Sequence, residues 1–198
     1  MGIFKNIFGK NKKTSSADKG EQGKYMPKEN MPVDELFTIN FMKNGGKFIY
    51  CDSMSEVSEN FNAILEENNW DLKNVLCYND SLKKRFESFK INYSTKTPSF
   101  FFTNCESLIA DKGSILISSN QIKEQKLNDL PNDFILFATT SQLKETISEG
   151  LRTIKNNRQK SLPSNITTLK HFKFSKEKDF MTYGNSTKNL YLLLLEDL

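Results

Sequence analysis

The chain has 198 residues, 37% of them hydrophobic and 12% aromatic, enough for one substantial core of roughly 150 residues plus a tail and too few for two full domains. Its net charge of +4 is held entirely by residues 1–30, where seven lysines face Asp18, Glu21 and Glu29, so residues 31–198 balance at 21 basic and 21 acidic side chains. A neutral body argues against a nucleic-acid-binding domain, which needs a basic face that survives removal of the tail.

Residues 1–30, MGIFKNIFGKNKKTSSADKGEQGKYMPKEN, contain almost nothing to bury beyond position 8, and their composition is that of a disordered basic tail. Ile3, Phe4, Ile7 and Phe8 would share one helical face, followed by Lys10, Lys12 and Lys13, which is the make-up of a weak anchor on anionic lipid. Eight residues is short for such a helix, and a plain disordered tail is the preferred reading. Asn6 stands where a myristoylation pattern needs Ser or Thr.

Residues 31–198 form the second unit, an alternation of helical and strand patterns. Pro32 at a first helical position, with Val33, Leu36, Phe37 and Phe41 on one side and Gly45 and Gly46 at the end, predicts a helix. KFIYC, Lys47 to Cys51, reads as a short buried strand, and Ser53 with Glu56 forms a capping box before a helix bearing Met54, Val57, Phe61, Ile64 and Leu65. Asn74 to Tyr78 is the next strand, Asp80 caps a short helix with Leu82, Phe86 and Phe89, and Ser99 to Thr103 is strand-like again.

Ile115 to Ser118 and Phe134 to Ala138 are continuous apolar runs, the pattern of strands buried on both faces. The first of these is expected at the centre of the sheet. Thr140 or Ser141 opens a helix whose stripe is Leu143, Ile147, Leu151 and Ile154, and Leu190 to Leu195 must be covered on both faces, which places that strand inside the sheet. Strands alternating with helices in this way predict a three-layer α/β/α fold with a mostly parallel sheet.

Cys51, Cys77 and Cys105 are far apart, with no CxxC spacing, and His171 is the single histidine. This pattern disfavours a zinc site, an iron–sulfur site or a disulfide framework, suits a reducing cytosol, and leads us to expect no cofactor and no metal. No run approaches the ~18 apolar residues of a membrane span, and no signal-peptide core is visible, so the expected location is cytoplasmic.

Ligands of open α/β sheets bind beyond the carboxyl ends of the strands. Those ends are Asp52–Ser53, Asn79–Asp80, Ser118–Gln121 and Thr139–Ser141, poor in strong acid–base groups but rich in hydroxyls and amides that can hold a phosphate or carboxylate. For Ser53, Asp80 and Thr140 helix capping is the preferred role. Ser118 or Ser119 as a nucleophile would need a base, and His171, in the Lys-rich stretch LKHFKFSKEKD, has no evident partner. There is no GxSxG elbow. Glu106 and Asp111 could act as a carboxylate nucleophile or base, although a solvated role is the default for both. Gly45 and Gly46 end a helix rather than begin one, against a Rossmann or P-loop reading.

The stretches KNGGKFIYC with its capped helix, NCESLIADKGSILISSNQ, LPNDFILFATTSQLKETISEGLRTI and NLYLLLLEDL together resemble the LUD-domain family of the lactate-utilisation protein C type, over about residues 31–198. The best-matched motif, Ala-x-Thr-Gly-Thr before an apolar strand, stands here as Ala110, Asp111, Lys112, Gly113 and Ser114, and Pro131 matches the proline before the next strand. The resemblance implies a fold like that of sugar isomerases and CoA transferases, and iron–sulfur partner proteins that oxidise L-lactate. The chain departs from the family at NITTLKHF, Asn165 to Phe172, and at YGNSTKNL, Tyr183 to Leu190, where Gly184, Ser186 and Lys188 remain of a site that has lost its arginine, acidic and histidine positions.

Three functional readings follow. The first is a non-catalytic accessory or sensing component of lactate or organic-acid utilisation, with an anionic metabolite held by Gly113, Ser114, Ser118, Ser119, Asn120, Gly184, Ser186 and Lys188. The second is an enzyme of the isomerase or CoA-transferase kind working through Glu106 or Asp111. The third is a membrane-surface protein docked by residues 1–13.

Overall fold

The computed structural model describes residues 31–157, 161–172 and 187–197; the amino-terminal tail, with its membrane-anchor reading, and Gly184 and Ser186 lie outside the described residues. The elements in order are α1 (Val33–Lys43), β1 (Lys47–Cys51), α2 (Met54–Asn68), β2 (Val75–Leu76), α3 (Asp80–Arg85), β3 (Phe100–Thr103), β4 (Ser107–Ile109), β5 (Ser114–Ser118), α4 (Ser119–Ile122), β6 (Asp133–Thr139), β7 (Leu143–Lys144), α5 (Ile147–Asn156), β8 (Ile166–Leu169) and β9 (Asn189–Leu195). A five-stranded sheet runs β1-β9-β6-β3-β2 with every pairing parallel. A second sheet of four strands runs β7-β4-β5-β8.

The central sheet is covered on both faces, giving the three-layer α/β/α arrangement. Alternate residues along each strand divide between two cores, as the two-residue period of a pleated strand requires. On one face Phe100, Phe102, Ile135, Phe137, Tyr191 and Leu193 meet Val57, Phe61, Ile64 and Leu65 of α2 and Leu82 of α3. On the other, Phe101, Phe134, Leu136, Leu190, Leu192 and Leu194 meet Phe37 and Phe41 of α1 together with Leu108, Ile115, Ile117 and Leu169 of the second sheet. Phe61 touches four aromatic rings, Phe86, Phe89, Phe100 and Phe102; its full burial contributes roughly 2–3 kcal/mol.

Local signals account for most boundaries. Ser53 Oγ accepts from the Glu56 amide at 3.3 Å, satisfying an orphan donor at the start of α2, and Glu56 Oε2 accepts from the amide of Asp52, the residue before the cap, at 2.9 Å. Asn69 ends that helix in the left-handed region at φ 53°. Both β6 and β9 lie inside the sheet, and their inner residues are buried along the whole run, as the apolar stretches require.

Several expectations are corrected. Ile115 to Ser118 does not lie at the centre of the parallel sheet: β5 belongs to the second sheet, antiparallel to both β4 and β8. It is still buried on both faces because α5 covers its outer side, where Ile109, Leu116, Ile154 and Ile147 pack together. An apolar run reports burial and not the sheet that provides it. The helix expected at Thr140 starts later: Thr140–Gln142 is a 3₁₀ turn, Leu143 sits in β7, and Thr146 caps α5 by accepting from the Glu149 amide at 3.4 Å. Leu151 is 40% exposed and Gly150 takes the inward position. Asn79, not Asp80, caps α3, accepting from the Leu82 amide at 2.8 Å, and Pro32 is the residue before the first helical one.

Candidate functional site

The residues singled out from the sequence divide between two ends of the molecule. β5 has five residues, so Ser114 and Ser118 lie about 13 Å apart along it. At the Ser114 end, Gly113 has φ +56°, and a Cβ there would stand 2.2 Å from the carbonyl carbon of Asn40 and 2.3 Å from the amide nitrogen of Phe41. Glycine is therefore required by the close approach of α1, a role that Asn44 reinforces by donating to the carbonyls of Lys112 and Gly113 at 2.7 and 3.0 Å. Asp111 is exposed at the same end and pairs with Lys112 at 3.5 Å. Ser114 Oγ is buried and makes no hydrogen bond among the described residues.

Lys188 precedes β9 at the amino end of the central sheet. It is 1% exposed and donates to the carbonyls of Leu130 and Pro131, both at 2.9 Å, with its Nζ 5.4 Å from the centroid of the Phe134 ring. Burial pushes its ammonium down to about 8, against the opposing pull of Asp129 and Asp133. Its two carbonyl partners fix the chain entering β6 beside the chain entering β9.

The other end carries the polar cluster. Ser118 Oγ lies 2.7 Å from Glu106 Oε1, Asn120 Nδ2 donates to the same oxygen at 2.8 Å, and Ser118 also accepts from the Asn120 amide at 3.1 Å. Gln121 Oε1 accepts from the Ser118 amide at 2.8 Å, completing a capping box for α4. Ser119 is engaged elsewhere: its hydroxyl accepts from the Ser164 amide at 3.0 Å, which ties β8's approach to α4.

Glu106 follows Asn104 by two residues, and Asn104 lines a crevice of about 310 Å³ at the carboxyl ends of the parallel strands. The crevice is bounded by Asn79 after β2, Asn104 after β3, Thr139 at the end of β6 and Asp197 after β9, with Ser81 and Arg85 from α3. It arises where the chain leaves neighbouring strands on opposite faces: α3, following β2, packs into one core, while β4, following β3, packs into the other. This is the position at which open α/β sheets hold ligands.

The charges of the crevice are unequal in freedom. Asp197 Oδ1 accepts from Thr140 Oγ1 and the Ser141 amide, both at 2.9 Å, and Oδ2 accepts from Ser141 Oγ at 2.8 Å. Burial works against its charge, yet the bonds from Ser141, Thr139 and Thr140 outweigh that and hold the carboxyl below its usual range. Arg85 is exposed, its guanidinium lies 5.1 Å from the Phe137 ring centroid, and it makes no ion pair or hydrogen bond among the described residues. Asn79 spends its oxygen on the α3 cap and approaches Asn104 Oδ1 at 3.4 Å with its amide. The open functions are thus one cation and a set of amide and hydroxyl groups, the composition that holds a small carboxylate.

Sequence reasoning named Asn79, Thr139 and the Ser118–Gln121 segment through their strand ends, but missed Arg85, Asn104, Gln142 and Asp197. Arg85 lies on α3 five residues beyond the strand-end Asp80, and Asp197 carries no sequence signal beyond closing an apolar strand. Among the described residues no group of three or more His, Cys, Asp and Glu is placed to hold a metal ion, and no helix is long and apolar enough to cross a membrane.

Residues 35–194 match the model of the LUD domain family. A crystal structure of a DUF162 family protein from Deinococcus radiodurans superposes with a TM-score of 0.57 at 11% identity, covering 83% of this chain and 96% of that one. At that identity the similarity concerns the fold. No curated protein matches the chain.

Proposed function

The chain belongs to the LUD-domain family, and from that premise we propose that it binds a small hydroxy-carboxylate or related organic anion in the crevice at the carboxyl ends of the parallel strands, as a non-catalytic accessory component of lactate or organic-acid utilisation. The observation that carries this reading is Arg85, a guanidinium stacked on Phe137 at the crevice and without an acidic partner among the described residues. A planar fork of donors binds a carboxylate through two hydrogen bonds, and the Asn104 and Ser81 side chains that share the crevice supply partners for a neighbouring hydroxyl. A volume of about 310 Å³ suits a metabolite of a few heavy atoms. Iron–sulfur lactate-oxidising proteins are the partners that the family resemblance proposes for such a component.

A second reading keeps Glu106 as a working carboxylate in an isomerase or CoA-transferase type of reaction. It is favoured by the way Ser118 and Asn120 fix Oε1 while the residue stays partly exposed two positions from the crevice-lining Asn104. Asp111, at the far end of β4 and paired with Lys112, shares none of this.

Thermal unfolding of the full chain with L-lactate, other hydroxy acids, coenzyme A thioesters and sugar phosphates separates the readings, because a ligand of the native state raises the apparent Tm by mass action. The expected result is stabilisation by a hydroxy acid that Arg85→Ala abolishes and Lys84→Ala preserves. A response confined to thioesters and lost in Glu106→Gln would favour the second reading. No response to any member of the panel would remove the first.

A further inference from the structure

A second groove, of about 540 Å³, lies on a different part of the molecule, between β8 and the segment from Ile122 to Asn128. Among the described residues β8 is an edge strand, paired only with β5. The Ser119 amide donates to the Asn165 carbonyl at 2.9 Å, and this bond fixes the alternation of the antiparallel ladder. Asn165, Thr167 and Leu169 turn their backbone groups toward β5, whereas Ile166 and Thr168 turn theirs outward. Those outward amides and carbonyls make no hydrogen bond among the described residues, and the groove runs alongside them.

The lining of this groove is one-signed. Lys126 and Lys170 stand in it with His171, the rest being Ile122, Ile166, Leu127 and uncharged polar side chains, with no carboxylate among them. The neighbouring Glu124 accepts from Ser164 Oγ at 3.2 Å. Ile166, 38% exposed, offers an apolar contact at the strand edge. A ladder edge without a partner among the described residues, beside a channel of positive charge, matches an extended segment that supplies main-chain partners and acidic side chains at alternate positions. The chain's own residues 1–30, with seven lysines against three acidic residues, have the wrong sign.

We propose that β8 is a docking edge for an acidic, extended peptide segment of a partner protein, which adds a fifth strand to the second sheet with its carboxylates toward Lys126 and Lys170. This site is separate from the crevice at Arg85 and does not depend on it.

The test is fluorescence anisotropy of a fluorescein-labelled peptide alternating glutamate and valine, titrated with the full chain, together with amide hydrogen exchange. Saturable binding is expected, weakened by at least about tenfold when alternate peptide amides are N-methylated, since that removes strand pairing and keeps the charge. Exchange at the Ile166 and Thr168 amides should slow on binding, while that at Thr167 is unchanged. The Lys126→Gln, Lys170→Gln variant, altered only at two exposed positions, should keep its Tm and lose the peptide. Absence of binding, binding indifferent to N-methylation, or unchanged exchange at Ile166 and Thr168 would each overturn the proposal.

Discussion

Ser118 Oγ and Glu106 Oε1 are 2.7 Å apart, and this contact joins the end of β5 to the chain leaving β3. Ser118 is fully buried, and its hydroxyl also caps the short helix that follows. Ser118→Ala should cost about 1–3 kcal/mol, because it strips a buried partner from both Glu106 and the Asn120 amide. Glu106→Gln should cost under about 1 kcal/mol, since the amide oxygen can still accept from Ser118 and Asn120. Urea unfolding of the two variants checks the order; a costlier Glu106→Gln would show that the charge, not the acceptor, holds the cluster.

Gly113→Ala is expected to destabilise by more than about 2 kcal/mol. The added methyl group meets backbone atoms of α1, and the positive φ is unfavourable for alanine in any case. Ligand binding at the crevice should survive in whatever fraction remains folded. Chemical denaturation beside the thermal-shift response measures both.

Lys188 predicts a pH dependence. Its folded value near 8 lies below the ordinary 10.5, so between those values the unfolded chain binds the extra proton and stability contributed by this group increases with pH. Below pH 8 it is charged in both states and the burial penalty is present in full. Cys51 and Cys77, raised to about 11, act in the opposite direction above their ordinary values. The stability of the wild-type chain minus that of Lys188→Met should therefore rise from pH 8 to pH 10, by at most about 3 kcal/mol. A flat difference would mean that the ammonium is not desolvated.

All three cysteines are free and buried, and burial raises each thiol, Cys51 and Cys77 to about 11 and Cys105 further still. Thiolate is the reactive form. Ellman's reagent at pH 8 should modify none of them within minutes in the native protein and all three in denaturant. Fast reaction of any one without denaturant would mark a local opening at its site.

The parallel sheet was legible because its signal is strong. FILFA and LYLLLL can be buried only between two layers, and Phe134 to Ala138 and Leu190 to Leu195 are found there. The second sheet was not legible, because β4 has three residues and β7 two, too few for a period to show. β8, ITTL, is exposed at Ile166 and Thr168 and buried only at Leu169, and so lacks an apolar run. Thr146 with Glu149 spelled the true start of α5, but Thr140 and Ser141 offered an earlier cap of the same chemistry. The site was legible only in kind: strand ends pointed to Asn79, Thr139 and Ser118, while Arg85 depends on the packing of α3 over Phe137, which no local pattern encodes.

The position of β9 between β1 and β6 bears on how fast the molecule assembles. β1 pairs with no other described strand, and its partner comes about 144 residues later, the separation of Lys47 from Tyr191. Closing so large a loop carries a high entropic cost before any contact returns it. Until β9 inserts, β1 has no partner on the sheet and the open side of β6 is a bare hydrogen-bonding edge. Refolding should therefore be limited by this one docking event, and a chaperone that shields β6 in the interval would raise the yield of native protein more than its rate of collapse.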